Sequence, residues 1–298
     1  MLIAFLKELS MSKSLIFSRN GNDSELGADR IKQLAPAVFS TSHKETLSSR
    51  YQPLNTADLL PVLSDYGFVP TQAVQRFGRK TTAEHNHHMI AFAHRDSLLQ
   101  TSPKQDRGEI ILYNSHDGTG AVRLFAGAYR FICSNGIVAG EGYDNRIYHS
   151  RSGLNGFEEM LANTVQSLPK LLNAITMMKE KPLNRDRQVE LATQAAQVRW
   201  KMLGSQFEDA NIRGSFATGQ TVADLLLPTR WSDQTDDAWT VFNRVQEGVI
   251  RGKAMIQSFT ERNPEGVLRK SRPISSVAEN VRVNRELWDI AQDVAEFA

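Results

Sequence analysis

The spacing of apolar residues changes once along this chain, and that change limits the folds open to it. From Phe68 to Ile132 the hydrophobic residues come in short runs rich in β-branched and aromatic side chains. These runs are Phe68-Val69, Ala73–Phe77, His88–His94, Glu109–Tyr113, Ala121–Phe125 and Ala128–Ile132. Polar stretches separate them, as in an antiparallel meander. After Gly153 the spacing becomes helical: Met160, Leu161, Val165, Leu168, Leu171, Leu172, Ile175 and Met178 recur along Phe157–Lys181. Further helices are expected over Arg185–Leu203, Asp236–Ile256 and Val277–Phe297. Strands in one block and helices in another predict an α+β fold rather than a doubly wound parallel sheet. The expected architecture is an antiparallel, hairpin-rich sheet packed against long helices, with a C-terminal helical region.

Local punctuation sharpens this outline. Asp58 suits the N-cap of a first helix, because Pro61 then lies in the first turn, where a missing N–H does no harm, and Gly67 ends that helix. Pro70 is expected to stop the first strand, and Asp117-Gly118 with Gly120 to turn a hairpin. Pro169 should kink or split the long helix. Residues 12–50 are polar and weakly periodic, which predicts a mobile arm. The expected division is an arm over 1–50, an α+β core over 51–182 and a helical region over 183–298. The apolar run at Met1–Leu6 lacks the length of a signal sequence or a membrane span, and Met11 is a second candidate start.

Composition narrows the function classes. With 41% hydrophobic and 23% charged residues the chain can bury a core. A net charge of +2 excludes coating of duplex DNA by charge alone, though a basic face can hide in a balanced total. Arg262, Arg269, Lys270, Arg272, Arg282 and Arg285 crowd one stretch before Glu286, Asp289, Asp293 and Glu296 close the chain, a segregation that reads either as such a basic face or as solvated helix faces. The single cysteine, Cys133, excludes an intramolecular disulfide and fits a reducing cytoplasm. No phosphate-cradling glycine loop occurs, which argues against an ATPase and leaves no cofactor to expect.

Three chemistries are open to the polar residues. Cys133 with His116 or His149 could form a nucleophilic pair, although Cys133 ends an apolar strand and reads more simply as a core residue. His85, His87 and His88 could chelate a metal if His85 and His87 share a face of an extended segment. Broadest is nucleic-acid binding. Arg76, Arg79 and Lys80 flank Phe77; Arg123 and Arg130 lie on strands with Phe125, Tyr129 and Phe131; Arg146 and Arg151 surround Tyr148. Guanidinium groups that hold phosphates beside rings that stack on unpaired bases favour single strands over duplex.

The run Asn114-Ser-His116-Asp117-Gly118, then Arg130-x-x-Cys133-x-Asn135 and a basic region at His149, resembles phage/plasmid-like proteins grouped as domain of unknown function 932. The resemblance spans roughly Tyr51 to Ile256 and implies residence on mobile elements. The helix, hairpin-rich sheet and long helix are also similar to single-strand annealing proteins of the phage recombinase-beta type. That likeness implies a basic groove for single-stranded DNA, independence from ATP, and assembly into rings or filaments. The expectation is therefore a cytoplasmic, homo-oligomeric, non-enzymatic protein that binds single-stranded DNA and promotes annealing or recombination. Arg76, Arg79, Lys80, Arg123, Arg130, Arg146 and Arg151 would contact phosphate. Asn114, His116, Asp117, Gly118, Cys133 and Asn135 would shape the turns that present them. The rival expectations are a mobile-element protein that inhibits a host defence system, and an enzyme built on the His/Cys or His-cluster residues.

Overall fold

The computed structural model describes residues 24–43, 47, 51–75, 83–100, 106–130, 133–138, 146–149, 153–204, 213–230 and 233–296. They divide into two units, Met1–Leu172 and Asn173–Ala298. The first holds helices α1 (Ala28–Leu34), α2 (Thr56–Asp65) and α3 (Arg95–Gln100), and most of α4 (Gly153–Glu180). Its strands are β1 (Phe68–Gln75), β2 (His88–His94), β3 (Asp106–Asn114), β4 (Val122–Arg130), β5 (Cys133–Val138) and β6 (Arg146–Ile147). They form an antiparallel sheet of order β1-β2-β3-β4-β5, with β6 also on β4. The α+β class and the meander agree with the sequence pattern.

Side-chain alternation gives this sheet two different faces. On one, Ile90, Phe92, Ile110, Leu112 and Leu124 are no more than 2% exposed. Gly108 shares their parity, and a Cβ built there would lie 3.4 Å from Leu172 and 3.5 Å from Leu168, so α4 runs close over the sheet. The register fixes the other face. Met89 opposes Tyr113, Tyr113 opposes Arg123, and Arg123 opposes Arg146.

Several expectations are corrected here. Pro70 does not stop β1; the strand runs through it with a register shift between Pro70 and Gln72, which an edge strand tolerates. Helix α2 starts at Thr56 rather than after Asp58, because the buried Thr56 hydroxyl is held by tertiary partners, and Asp58 instead accepts from Asn55 Nδ2 at 3.2 Å. Gly67 does end it, with φ of 81°. The mobile arm expected over 12–50 is ordered over 24–43. Ile31, Ala35, Ala37 and Val38 are buried, and Ala37 N–H donates to Gln75 Oε1 at 2.8 Å. Helix α4 continues through Pro169, which lies on its exposed side.

The second unit adds a sheet that the helical pattern hid. Helices α5 (Arg185–Arg199), α6 (Gly219–Leu226), α7 (Ala238–Arg251) and α8 (Val277–Glu296) accompany strands β7 (Lys201–Met202), β8 (Gly214–Ala217), β9 (Met255–Thr260) and β10 (Asn263–Lys270). The sheet order is β10-β9-β8-β7. Met255 and Ile256, read as the end of a helix, begin β9, because Gly252 in the left-handed region (φ 71°) terminates α7. Arg269 and Lys270 accordingly lie on a strand and not on a helix face, with Arg262 in the turn before it. Helix α7 is buried all round, with Trp239 against Phe242 and Trp288.

Candidate functional site

The β3–β4 hairpin turns where the sequence predicts, with Gly118 at φ 78°. Every histidine of the chain except His94 gathers at this end of the first sheet, and five of these six fall into two networks on opposite faces.

On the α2 side, His88 is fully buried. Its Nδ1–H donates to the Asn86 carbonyl at 3.0 Å, which leaves Nε2 to accept from Thr56 Oγ1 at 2.7 Å. Asn114 Nδ2 donates to Thr56 Oγ1 and to the Leu54 carbonyl, both at 2.9 Å, while its Oδ1 accepts from Ser115 N–H at 2.7 Å. His149 Nδ1 accepts from Leu54 N–H at 2.9 Å, so the neutral ring carries its proton on Nε2. Rings then follow one another: His88 to His116 at 5.6 Å, His116 to His149 at 6.1 Å, His149 to Tyr51 at 4.8 Å and Tyr51 to His43 at 5.2 Å.

Burial sets the charge state of this column. It lowers His88 to about 4 and His116 to about 3, helped by the neighbouring imidazoles, and lowers His149 as well. Burial, with the Asp117 carboxylate second, pushes the Tyr51 hydroxyl up to about 12. Neither ring nitrogen of His116 has a hydrogen bond of good geometry, and His149 Nε2, Ser115 Oγ and Tyr51 Oη are also buried without one. His88, His116, His149 and Tyr51 are therefore neutral near pH 7.

The second network lies on the opposite face. His87 Nε2–H donates to Asp117 Oδ2 at 3.0 Å, and Nδ1 accepts the hydrogen bond of the Tyr113 hydroxyl. Thr119 donates to Asp117 Oδ1 from both its N–H, at 2.9 Å, and its hydroxyl, at 2.7 Å. Burial opposes ionisation of Asp117, but the hydrogen bonds from His87 and Thr119 outweigh it and hold the carboxyl well below the usual range. The result is an aligned carboxylate, imidazole and hydroxyl with the tautomer fixed by the carboxylate. Beside Tyr113 in register stand Arg123 and then Arg146. Arg146 is exposed, and its guanidinium lies 5.6 Å from the ring centroid of Tyr148, which is itself 64% exposed. Neither arginine has a carboxylate partner among the described residues, and Arg123 Nε is buried without a hydrogen bond.

The family is decided by sequence comparison. The model described as "Domain of unknown function (DUF932)" matches residues 44–288. The chain belongs to this DUF932 family. Two Escherichia coli K12 relatives are similar over nearly their full length. The UPF0380 protein YafZ is 30% identical over 277 residues and the UPF0380 protein YfjQ 29% over 279, each covering 91% of this chain and 92% of the relative. No solved structure matches. No enzymatic family is indicated by the DUF932 match, and no helix among the described residues is long and apolar enough to cross a membrane.

The structure sorts the residues singled out in this DUF932 chain. Arg123 and Arg146 come together. Arg130 stands seven positions along β4 from Arg123, so its register parity is opposite and it is roughly 23 Å away along the strand. Arg76, Arg79, Lys80 and Arg151 lie outside the described residues. Of the three candidate cations among the described residues, Arg123 and Arg146 form a pair and Arg130 stands apart. Cys133 opposes Arg130, at the far end of β4 from His116 and His149, so those histidines do not form a nucleophilic pair with it. Asn135 falls on the same β5. The chelating pair is not formed either. Residues 83–85 are a 3-10 turn and not a strand, His85 Nε2 sits 3.0 Å from Ser42 Oγ, and His87 is engaged with Tyr113 and Asp117. Asn114 and Asp117 organise the hairpin end. Sequence reasoning missed Tyr113, Thr119 and Thr56; the one available signal was His87 beside a strand start and Tyr113 at a strand end, which only the register joins.

Proposed function

We propose that this DUF932 chain binds single-stranded nucleic acid at the hairpin end of its first sheet, with Arg123 and Arg146 on phosphate and Tyr148 stacked on a base. The observation that carries the reading is the direct cross-strand pairing of Arg123 with Arg146. Like charges in that position repel, which destabilises a sheet unless an anion lies between them. The exposed Tyr148 beside Arg146 adds the stacking surface that unpaired bases use. Arg107, on the same face, is no part of it: Glu109 neutralises it at 2.6 Å in a buried pair. We extend the reading to ATP-independent annealing or recombination by a homo-oligomer in ring or filament form.

Fluorescence anisotropy with labelled single-stranded and duplex oligonucleotides tests the binding. The single strand should bind more tightly, with affinity falling steeply as salt rises. Replacing Arg123 and Arg146 by Ala should weaken binding at least tenfold and reduce the log–log salt slope by about 1.4. Equal affinity for both forms, or a double variant that binds like the wild type, overturns the proposal. Annealing of complementary oligonucleotides without ATP, run beside a solution mass measurement, tests the extension.

A further inference from the structure

We propose that Tyr113 is a nucleophile that cuts the bound strand and holds one end of it as a phosphotyrosyl ester. This deepens the preceding reading and rests on it. The tyrosine hydroxyl donates to His87 Nδ1, and Asp117 accepts from the far side of the same ring at 3.0 Å. An imidazole so oriented can take the hydroxyl proton as the oxygen attacks, and the carboxylate stabilises the imidazolium that results. Thr119, bound twice to Asp117, fixes the carboxylate in turn.

Two further features belong to phosphoryl chemistry. Arg123 is the cross-strand neighbour of Tyr113 and Arg146 the next in the row, which sets two guanidiniums where charge builds on a phosphate under attack. Gly120 packs closely beside the hydroxyl, where any side chain would crowd it: a Cβ there would lie 3.1 Å from Tyr113 Oη and 2.6 Å from Ser115 Oγ.

The step balances. Tyr113 Oη forms a bond to phosphorus, the bond from phosphorus to one sugar oxygen breaks, and His87 takes the tyrosine proton. The leaving oxygen takes a proton from water and His87 returns its own to water. One phosphate ester replaces another, with no oxidant or metal required. The reverse attack rejoins the strand, so recombination by this route needs no nucleotide hydrolysis.

The test uses full-length protein and random-sequence single-stranded oligonucleotides, fluorescently labelled at either end and carrying one bridging phosphorothiolate, whose thiolate leaving group rejoins poorly. Denaturing gels should show label from one end on the wild-type protein, and digestion with mass spectrometry should place it on Tyr113. Tyr113→Phe should abolish the adduct while anisotropy binding stays within about threefold. His87→Gln should slow adduct formation about 100-fold or more. Binding without an adduct, or an adduct that persists in Tyr113→Phe, overturns this inference alone. Absence of single-strand binding by the wild type overturns the binding reading, and this one with it.

Discussion

Asn114 illustrates how single side chains hold the hairpin end in place. Its amide satisfies the Leu54 carbonyl and the Thr56 hydroxyl and accepts from Ser115 N–H, all in a fully buried position. Removal leaves buried polar groups without partners, which costs more than the bonds were worth in water. Asn114→Ala should therefore destabilise the chain by about 3 kcal/mol, read as a lower denaturant midpoint; a loss below about 1 kcal/mol would show that water replaces the amide. Sequence inspection marks Asn114 and Asp117 as turn formers, since that chemistry is local. It cannot show that Asp117 accepts from His87, because β2–β3 register brings the two together, and a slip of one residue would send every side chain to the other face.

Strands and helices were legible to the extent that one local pattern governed them. The run His88–His94 forms β2 as expected, and Val277 begins α8 as expected, because alternation and helical spacing are each unbroken there. Expectation failed where a tertiary contact prevailed. Helix α7 ends at Gly252 although the apolar spacing continues to Ile256. A Cβ at Gly252 would lie 2.3 Å from the Arg272 carbonyl carbon and 2.5 Å from the Ser271 oxygen, both backbone atoms that cannot swing aside. With φ also positive, Gly252→Ala should cost about 2–4 kcal/mol; thermal or denaturant unfolding would show it, and a neutral result would mean that the chain after β10 is free to shift.

At the scale of the molecule, the histidines are confined to one unit. All seven histidines precede residue 150, and the unit Met1–Leu172 holds them. His88 and His116 are lowered to about 4 and about 3, so the unfolded chain takes up protons below about pH 6.5 while the folded chain does not. The stabilisation is complete above that pH and is lost as the pH falls through the window toward 4, with His88 alone accounting for about 3 kcal/mol by then. Hydrogen exchange, corrected for intrinsic rate, should show protection falling in β2, β3 and β4 between pH 7 and 5 while α5, α7 and α8 keep theirs. A uniform change across both units would refute it.

By itself the sequence determined the α+β class, the meander, the hairpin turn at Asp117-Gly118 and the principal helices, because periodicity and turn chemistry act over a few residues. Only the tertiary structure decided which polar residues meet. Strand register joins His87 to Tyr113 and Asp117 and sets Arg123 opposite Arg146, while it sends Arg130 and Cys133 to the other end of β4. Pairing between distant segments is settled by the burial of whole faces, and no short stretch of sequence carries that information.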